Sequence, residues 1–483
     1  MGKTISLREE PDRREVDRRI WRLAWPAILR LAFMSTASLV TLGLVGTLGP
    51  QAIAAVGLGQ RVIFIVIGVV MALTVGTTAL VARYVGAENM PAARAVVAQS
   101  LLVGGFLAAG LAVLGELYGE KMIAGLMLGH PDAQVIALGG HYLRIIIFSM
   151  ILGIPMMIIN AAQQGAGDAK TPMYMVIGVN ALTLVLGYLF IKGPGPFPSL
   201  GVTGAALGEG LARAGGGAVA LALAFSGRFF TLNIRPREVF RLDPGLIGQI
   251  LAIGLPASGE QMVRQGSQVI YTILIASLGS LTIAANQVAM AVQSISFMPG
   301  FGFGLAATTL VGQSLGAQKP GLAEFYGYET SRFAAAFMGA MGVVFFFWAT
   351  PLVRLFTADP TVINLAGACV RIIAFAQLPF AVLMVLSGAL RGAGDTRWVM
   401  YMVAAGEWGV RLILAYLLGF RLALGLPGVW LSFLISSFVL SGLVLWRYRS
   451  GRWKEVLRPR GSFQPQPSGG QAATRFRQDT DGL

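Results

Sequence analysis

The chain contains twelve apolar segments, each near or above the roughly 20 residues that a helix needs to cross the hydrocarbon core of a bilayer. Apolar residues make up 55% of the chain and charged residues 12%, about half the charged fraction of soluble domains. The segments lack the period-two alternation of barrel strands, so we predict membrane-spanning helices. They begin near Leu23, Ala52, Ala95, Gln134, Thr171, Val202, Leu246, Leu281, Ser331, Thr361, Trp398 and Pro427.

The chain also repeats itself at a distance of about 230 residues. Residues 164–168 read Gln-Gly-Ala-Gly-Asp, and residues 391–396 read Arg-Gly-Ala-Gly-Asp-Thr. Upstream, the Leu-Ala-Trp-Pro at 23–26 corresponds to Ile-Gly-Leu-Pro at 253–256. Each copy of the repeat contains six spans. Because six is an even number, both copies enter the membrane in the same orientation. We predict an all-α integral membrane protein with twelve transmembrane helices in two parallel six-helix repeats.

This duplication predicts the domain organisation. Residues 1–18 form a cytoplasmic N-terminal segment, and residues 19–227 form an N-lobe of six helices. A cytoplasmic linker at 228–244 leads to a C-lobe of six helices at 245–450. The tail at 451–483 is rich in Pro, Gln, Ser and Gly, which predicts a disordered cytoplasmic segment.

A net charge of +15 would suggest nucleic acid as a partner in a soluble protein, but its placement gives a different explanation. Nearly all Lys and Arg outside the spans fall in alternate loops, whereas the opposite loops hold only Lys121, Lys192, Arg354 and Arg421. The positive-inside rule therefore predicts an inner-membrane protein with both termini cytoplasmic and no nucleic-acid partner. A single cysteine and two histidines predict neither a disulfide nor a metal site, and we expect no cofactor.

Several stretches resemble the multidrug and toxic compound extrusion family. Residues 284–289, 296–302 and 308–316 resemble the family's eighth-helix region, and residues 387–396 resemble its signature after the tenth helix. Residues 200–206 resemble the entrance to its sixth helix. The resemblance implies two six-helix bundles that export amphipathic organic cations in exchange for protons or sodium ions by alternating access.

The sequence also departs from the family pattern. Many members carry an acid on the first helix that is proposed to bind the coupling ion, but here Thr41 stands at that position. On the fifth helix, Gly187 follows Asn180 where some members have an Asp. No acid stands near Pro379 of the tenth helix either. The usual carboxylate of the N-terminal half is therefore absent.

Three acids lie within predicted spans, where a charge costs about 2.5–3.5 kcal/mol on insertion scales. They are Glu209, Glu260 and Glu407, and each is followed four residues later by an arginine: Arg213, Arg264 and Arg411. This spacing places acid and base on one helix face. One interpretation is three structural ion pairs; the other is a site for a coupling ion.

For the coupling role we rank Glu260 first and Glu407 second. Glu260 lies one turn after Pro256 and matches an acid that the family often places in its seventh helix. Arg30 is its repeat equivalent, since each follows the helix proline by four residues. Arg30 either faces Glu260 across the lobe interface or snorkels to the cytoplasmic surface.

A promiscuous pocket for cations needs adaptable Met, aromatic rings and uncharged amides. The predicted lining consists of Gln287, Met290, Gln293, Phe297 and Met298 on the eighth helix, with Gln60, Asn180, Thr41 and Met384 from other helices. Such residues also pack in ordinary membrane helices, so this prediction competes with a purely structural role.

These observations predict a monomeric multidrug efflux antiporter that binds small amphipathic cations within the lipid bilayer. The alternative is a flippase for a lipid-linked precursor, which would need a strongly cationic cavity for pyrophosphate. A sugar-transporter-like protein would need an Asp-Arg-rich second loop, which residues 83–88 lack. A membrane enzyme would need a nucleophile with a base or a metal set, and we found neither in the spans.

Overall fold

The computed structural model describes residues 13–127, 132–194, 196, 198–226, 239 and 242–456, and in these ranges helices are joined by turns and short loops, with no β-strand. Two segments within residues 396–421, Ala405–Arg411 and Leu417–Arg421, have π-helical geometry. The helices are α1 Arg13–Gly46, α2 Pro50–Gly86, α3 Met90–Leu126, α4 Ala133–Gly165, α5 Lys170–Lys192, α6 Gly201–Ser226, α7 Pro244–Ala276, α8 Ser280–Gly316, α9 Pro320–Phe347, the short α10 Ala349–Arg354, α11 Pro360–Gly392, α12 Thr396–Arg421 and α13 Gly425–Arg449.

Ten of these helices are long and apolar enough to cross a membrane. The remaining long helices, α6 and α7, have 26 and 33 residues and carry two of the predicted charged pairs. The predicted all-helical membrane fold is thus confirmed. Several helices begin before the apolar segments do: α9 starts at Pro320, not near Ser331, because a helix continues into polar sequence beyond the bilayer. The predicted linker and tail lie largely outside the described residues.

The helix starts follow local sequence. Asp243 precedes Pro244 and accepts a hydrogen bond from the backbone N–H of Leu246. Asp359 precedes Pro360 and caps α11 in the same way. An Asp satisfies an N–H group that has no partner within the helix, and a Pro in the first turn loses none. These caps fix where α7 and α11 enter the bundle.

The buried apolar residues form two clusters. The first core is built mainly from α2, α3, α4 and α6, and the second from α8, α9, α11 and α13. The beginning of α1, with Val16 and Ile20, packs in the second core, whereas the beginning of α7, with Ile250 and Ile253, packs in the first. Each repeat therefore sends the first part of its first helix into the core of the other.

The two lobes meet at the end where α2 and α8 finish. There the Thr309 hydroxyl of α8 donates to the carbonyl of Gln164 at 2.9 Å, and the Gln313 amide donates to the carbonyl of Gly165 at 2.9 Å. Deeper in the interface, a Cβ atom on Gly254 of α7 would lie 1.6 Å from the carbonyl oxygen of Ala72. Only glycine permits this approach of α7 to α2. We call this the closed end.

Candidate functional site

Glu260 lies inside the C-lobe, where α7 packs against α12 and the side chain of Arg391 reaches it from α11. Its Oε1 accepts hydrogen bonds from Arg264 Nη2 at 3.1 Å and from Arg391 Nη2 at 2.6 Å. Its Oε2 accepts one from Arg391 Nε at 3.2 Å. The Glu260 side chain is only 5% exposed, so both of its oxygens are held by guanidinium groups away from solvent.

Glu407 lies close by on α12, within the π-helical segment. It accepts hydrogen bonds from Arg411 Nη1 at 3.0 Å, from Arg264 Nη1 at 3.4 Å and from the Ser267 hydroxyl at 3.1 Å. Its side chain is 8% exposed. Widened turns of this kind occur frequently at functional sites. Here the neighbouring Gly406 lets α12 approach Leu440 of α13.

One chain of alternating charges therefore runs through the C-lobe, and we call it the C-lobe network. Its members are Arg391, Glu260, Arg264, Glu407 and Arg411. The network contains three guanidinium groups and two carboxylates, so it carries one excess positive charge. Buried charges are tolerated when each is paired and hydrogen-bonded.

Aromatic rings hold the end of this network. The Arg411 guanidinium lies 4.2 Å from the ring centroid of Tyr271 and 5.1 Å from that of Phe433. The Tyr271 hydroxyl donates to the carbonyl of Val429 at 3.1 Å. Ring faces attract a cation, so Arg411 keeps its contacts with two rings even if Glu407 loses its charge.

The N-lobe contains a separate polar cluster between α2, α4 and α6. Glu209 is paired with Arg213 at 2.5 Å and accepts a hydrogen bond from the Tyr142 hydroxyl at 2.8 Å. The Gln60 amide donates to Tyr142 at 2.7 Å and to Glu209 at 3.3 Å. Gln60, which we predicted to line the cavity, is therefore bound to this cluster.

The residues predicted to line the cavity from α8 lie along one helix with differing exposure. Gln287, Met290 and Phe297 are exposed, whereas Gln293 and Met298 are half-buried. Their neighbours are largely apolar or uncharged. Asn286 approaches Met290 Sδ at 3.5 Å, and the Phe297 ring lies 6.1 Å from Phe301 and 5.7 Å from Phe380. Met384 is half-buried beside Gly300.

Comparison with known proteins decides the family. The MatE family model matches residues 26–189 and 256–417, which cover both repeats. This chain belongs to the MatE family, the multidrug and toxic compound extrusion transporters. A probable multidrug resistance protein NorM of Thermotoga maritima is 29% identical over 451 residues, covering 91% of this chain and 94% of that protein.

Solved structures share the fold of this MatE protein. A crystal structure of MATE in complex with MaL6 matches with a TM-score of 0.84 at 22% identity, covering 90% of this chain and 97% of that one. A MOP superfamily transporter from Pyrococcus furiosus matches with a TM-score of 0.84 at 21% identity, covering 92% and 97%. That structure is described as showing a reverse polarity of the binding pocket that suggests a different function. The chain is thus a multi-pass membrane transporter.

The repeat relates the C-lobe network of this MatE protein to a region of the N-lobe that holds Asn180 and Arg30. Asn180 follows Asp168 of the first motif by twelve residues, just as Glu407 follows Asp395 of the second. Arg30 stands in the place of Glu260. The face of α1 and α5 that corresponds to the network therefore carries an amide and a cation, with the half-buried Thr41 nearby. At these two pairs of equivalent positions, the acids stand in the C-lobe.

Arg30 does not contact Glu260 in this structure. Its side chain is half-buried, and within the described residues it has no ion-pair partner. It lies just beyond Ile28, which contacts α8 next to Gly302. Glu260 is instead occupied by Arg264 and Arg391.

The sequence predicted the three local pairs as alternatives to a coupling site, and all three are present. It did not identify Arg391 or Ser267 as partners of the acids, or Tyr271 as the ring that contacts Arg411. Their contacts join helices distant in the sequence, so helical spacing carries no signal for them. The one available signal was the position of Arg391 at the head of the repeated motif. Among the described residues, no three His, Cys, Asp or Glu residues are placed to hold a metal ion.

Proposed function

We propose that this MatE protein is a multidrug efflux antiporter of the inner membrane that exports amphipathic organic cations in exchange for protons by alternating access. The observation that carries the proposal is the C-lobe network, in which two buried carboxylates share the guanidinium of Arg264. Both termini are cytoplasmic in this proposal, and a single chain is the functional unit. The closed end is then the cytoplasmic end.

The network supports coupling because its charge balance depends on both acids. When Glu260 or Glu407 takes up a proton, a guanidinium loses its partner in a region of low dielectric constant. An unpaired buried charge is strongly unfavourable, so the helices that carry these side chains must rearrange. Substrate binding and proton binding then favour different arrangements, which is the requirement for exchange.

The proton fits this site better than sodium. The carboxylate oxygens of Glu260 and Glu407 are already engaged by guanidinium N–H groups and the Ser267 hydroxyl. Hard metal cations require several oxygen ligands around a vacancy, whereas a proton needs only one oxygen atom. We therefore infer that a pH gradient drives export.

The test uses purified protein in vesicles loaded with a cationic dye. An imposed pH gradient should drive efflux, and a sodium gradient should not. Glu260→Gln should abolish the pH-driven component. The matched control is Glu209→Gln, which removes an acid that is also paired with an arginine four residues later. Full activity of Glu260→Gln at normal expression would contradict the proposal.

A second candidate is an anionic lipid-linked substrate moved by a flippase. Arg30 has no ion-pair partner among the described residues, and the C-lobe network has an excess positive charge. Faster efflux of an anionic than of a cationic dye, abolished by Arg30→Gln, would favour the flippase.

A further inference from the structure

Arg391 makes the most extensive contact with the proposed coupling acid. It stands in the last turn of α11, 131 positions from Glu260, and holds both oxygens of that carboxylate at 2.6 and 3.2 Å. Two parallel N–H donors on one carboxylate give a charge-assisted interaction with a fixed geometry. Arg264 contacts only one of the two oxygens. Arg391 therefore determines where the Glu260 carboxylate points.

The two copies of the repeated motif differ at this position. The first copy has Gln164 where the second has Arg391. In the first copy, the backbone carbonyls of Gln164 and Gly165 accept hydrogen bonds from α8 and so join the lobes directly. In the second copy, the side chain turns toward Glu260 within the C-lobe. The arginine is thus specific to the half of the molecule that carries the acid.

The turn at residues 391–396 also contacts α7 at a second point. The hydroxyl of Thr396 donates to the carbonyl of Ile253 at 2.7 Å. The next residue of α7, Gly254, presses against Ala72 of α2, and the Ser258 hydroxyl donates to the carbonyl of Gly68 at 2.8 Å. Residues 253–260 of α7 therefore contact the 391–396 turn and also contact α2 of the other lobe.

We propose that Arg391 is a positioning residue that holds Glu260 and, through the 391–396 turn, ties the charge of Glu260 to the closed contact between α7 and α2. This inference rests on the proposed coupling role of Glu260. An ionised carboxylate accepts both N–H groups of Arg391, and α7 is held in place. A protonated carboxyl group has an O–H donor on one oxygen and cannot accept both in the same way. The contact between the 391–396 turn and residues 253–260 is then weakened, and the lobes separate.

The charges around Glu260 come from three helices. Arg264 lies on its own helix and Arg391 on α11, while Glu407 and Arg411 of α12 are connected to it through Arg264. Gly68 and Ala72, which contact this stretch from α2, are uncharged. Removal of Arg391 takes away one of two guanidinium groups that oppose protonation of Glu260.

The first experiment measures pH-driven dye efflux in vesicles for Arg391→Gln, Arg391→Lys and the control Arg371→Gln. Arg371 lies on the same helix, is exposed and has no ion pair among the described residues. We expect the half-maximal pH of Arg391→Gln to move upward by about one unit or more, the size of effect expected for a neighbouring charge. Arg391→Lys should shift less, and Arg371→Gln should match the wild type. A normal pH profile for Arg391→Gln, with only its yield or stability reduced, would overturn the inference.

A second readout decides the case in which Arg391→Gln no longer exports dye. Cys369 is replaced by Ser, and Ser258→Cys reports on the α7–α2 contact through its rate of thiol labelling in purified protein. At neutral pH, Arg391→Gln should raise the rate of thiol labelling. The expected rate is the one that the same reporter protein with Arg391 intact shows at acid pH. Equal labelling with and without Arg391 would contradict the proposal. Glu260→Gln is assayed in parallel: if it keeps pH-driven efflux, the proposed function itself fails, whereas if it loses efflux and Arg391→Gln shows neither shift, only the role of Arg391 fails.

Discussion

Glu260 and Glu407 lie on different helices and share one guanidinium: Arg264 donates from Nη2 to Glu260 at 3.1 Å and from Nη1 to Glu407 at 3.4 Å. The outer ends of the network are held by other groups, Arg391 on one side and Arg411 on the other. Among the residues that the structure describes, Arg264 is therefore the one that pairs with both acids, so the charge state of either acid affects the other through it.

The first prediction concerns this shared guanidinium. Arg264→Gln leaves Glu260 with Arg391 and Glu407 with Arg411, so the protein should fold and insert. In the presence of Arg264, the stability changes caused by Glu260→Gln and Glu407→Gln should differ from additivity by about 0.5–3 kcal/mol, as for residues in one network. In the Arg264→Gln background, the stability changes caused by these two substitutions should be additive. Thermal unfolding in detergent measures both cycles, and additivity in both backgrounds would show that Arg264 does not connect the acids.

A second prediction concerns the close approach of α7 to α2. Gly254→Ala places a methyl group 1.6 Å from the carbonyl oxygen of Ala72, so the closed end cannot form as observed. We expect a destabilisation of at least about 1–3 kcal/mol and loss of efflux. Gly248→Ala on the same helix is the control, because no atom lies within 4 Å of its Cβ position. Equal efflux from the two variants would mean that this contact is dispensable.

A third prediction compares the aspartates of the two motif copies. Asp395 is buried and pairs with Arg447 at 2.8 Å, so Asp395→Asn should cost about 3–5 kcal/mol by leaving a buried guanidinium unpaired. Asp168 instead accepts hydrogen bonds from the backbone of Lys170 and Thr171, and Asn caps a helix equally well. Asp168→Asn should therefore leave the midpoint of thermal unfolding nearly unchanged. Similar midpoints for both variants would argue against the Arg447 pair.

A fourth prediction separates the two contacts of Tyr271. Tyr271→Phe keeps the ring beneath Arg411 and loses the hydrogen bond to Val429, which is worth about 0.5–1.5 kcal/mol. Tyr271→Leu loses the ring as well, at a further cost of about 0.5–2 kcal/mol. If Arg411 needs the ring to stay in place, efflux should fall clearly only in the Leu variant. An equal loss in both variants would assign the effect to the hydroxyl.

The features that could be predicted from the sequence depend on local geometry. The i,i+4 spacing places Glu260 beside Arg264 in any helix, and the apolar segments define the spans whatever their neighbours are. Arg391 could not be assigned to Glu260 in this way, because their contact depends on where the folded chain places α11 relative to α7. The partners of Gln60 could not be predicted for the same reason, because Tyr142 and Glu209 come from two other helices.

The exchange of helix beginnings between the two cores has a mechanical consequence. The segments that pack in the opposite core end just before Pro26 in α1 and Pro256 in α7. Proline removes a backbone hydrogen bond and allows a helix to bend. The two lobes are thus joined by two equivalent helix beginnings, each packed in the opposite core and followed by a proline. Any motion that separates the lobes must either detach both helix beginnings from these cores or bend both helices at their prolines.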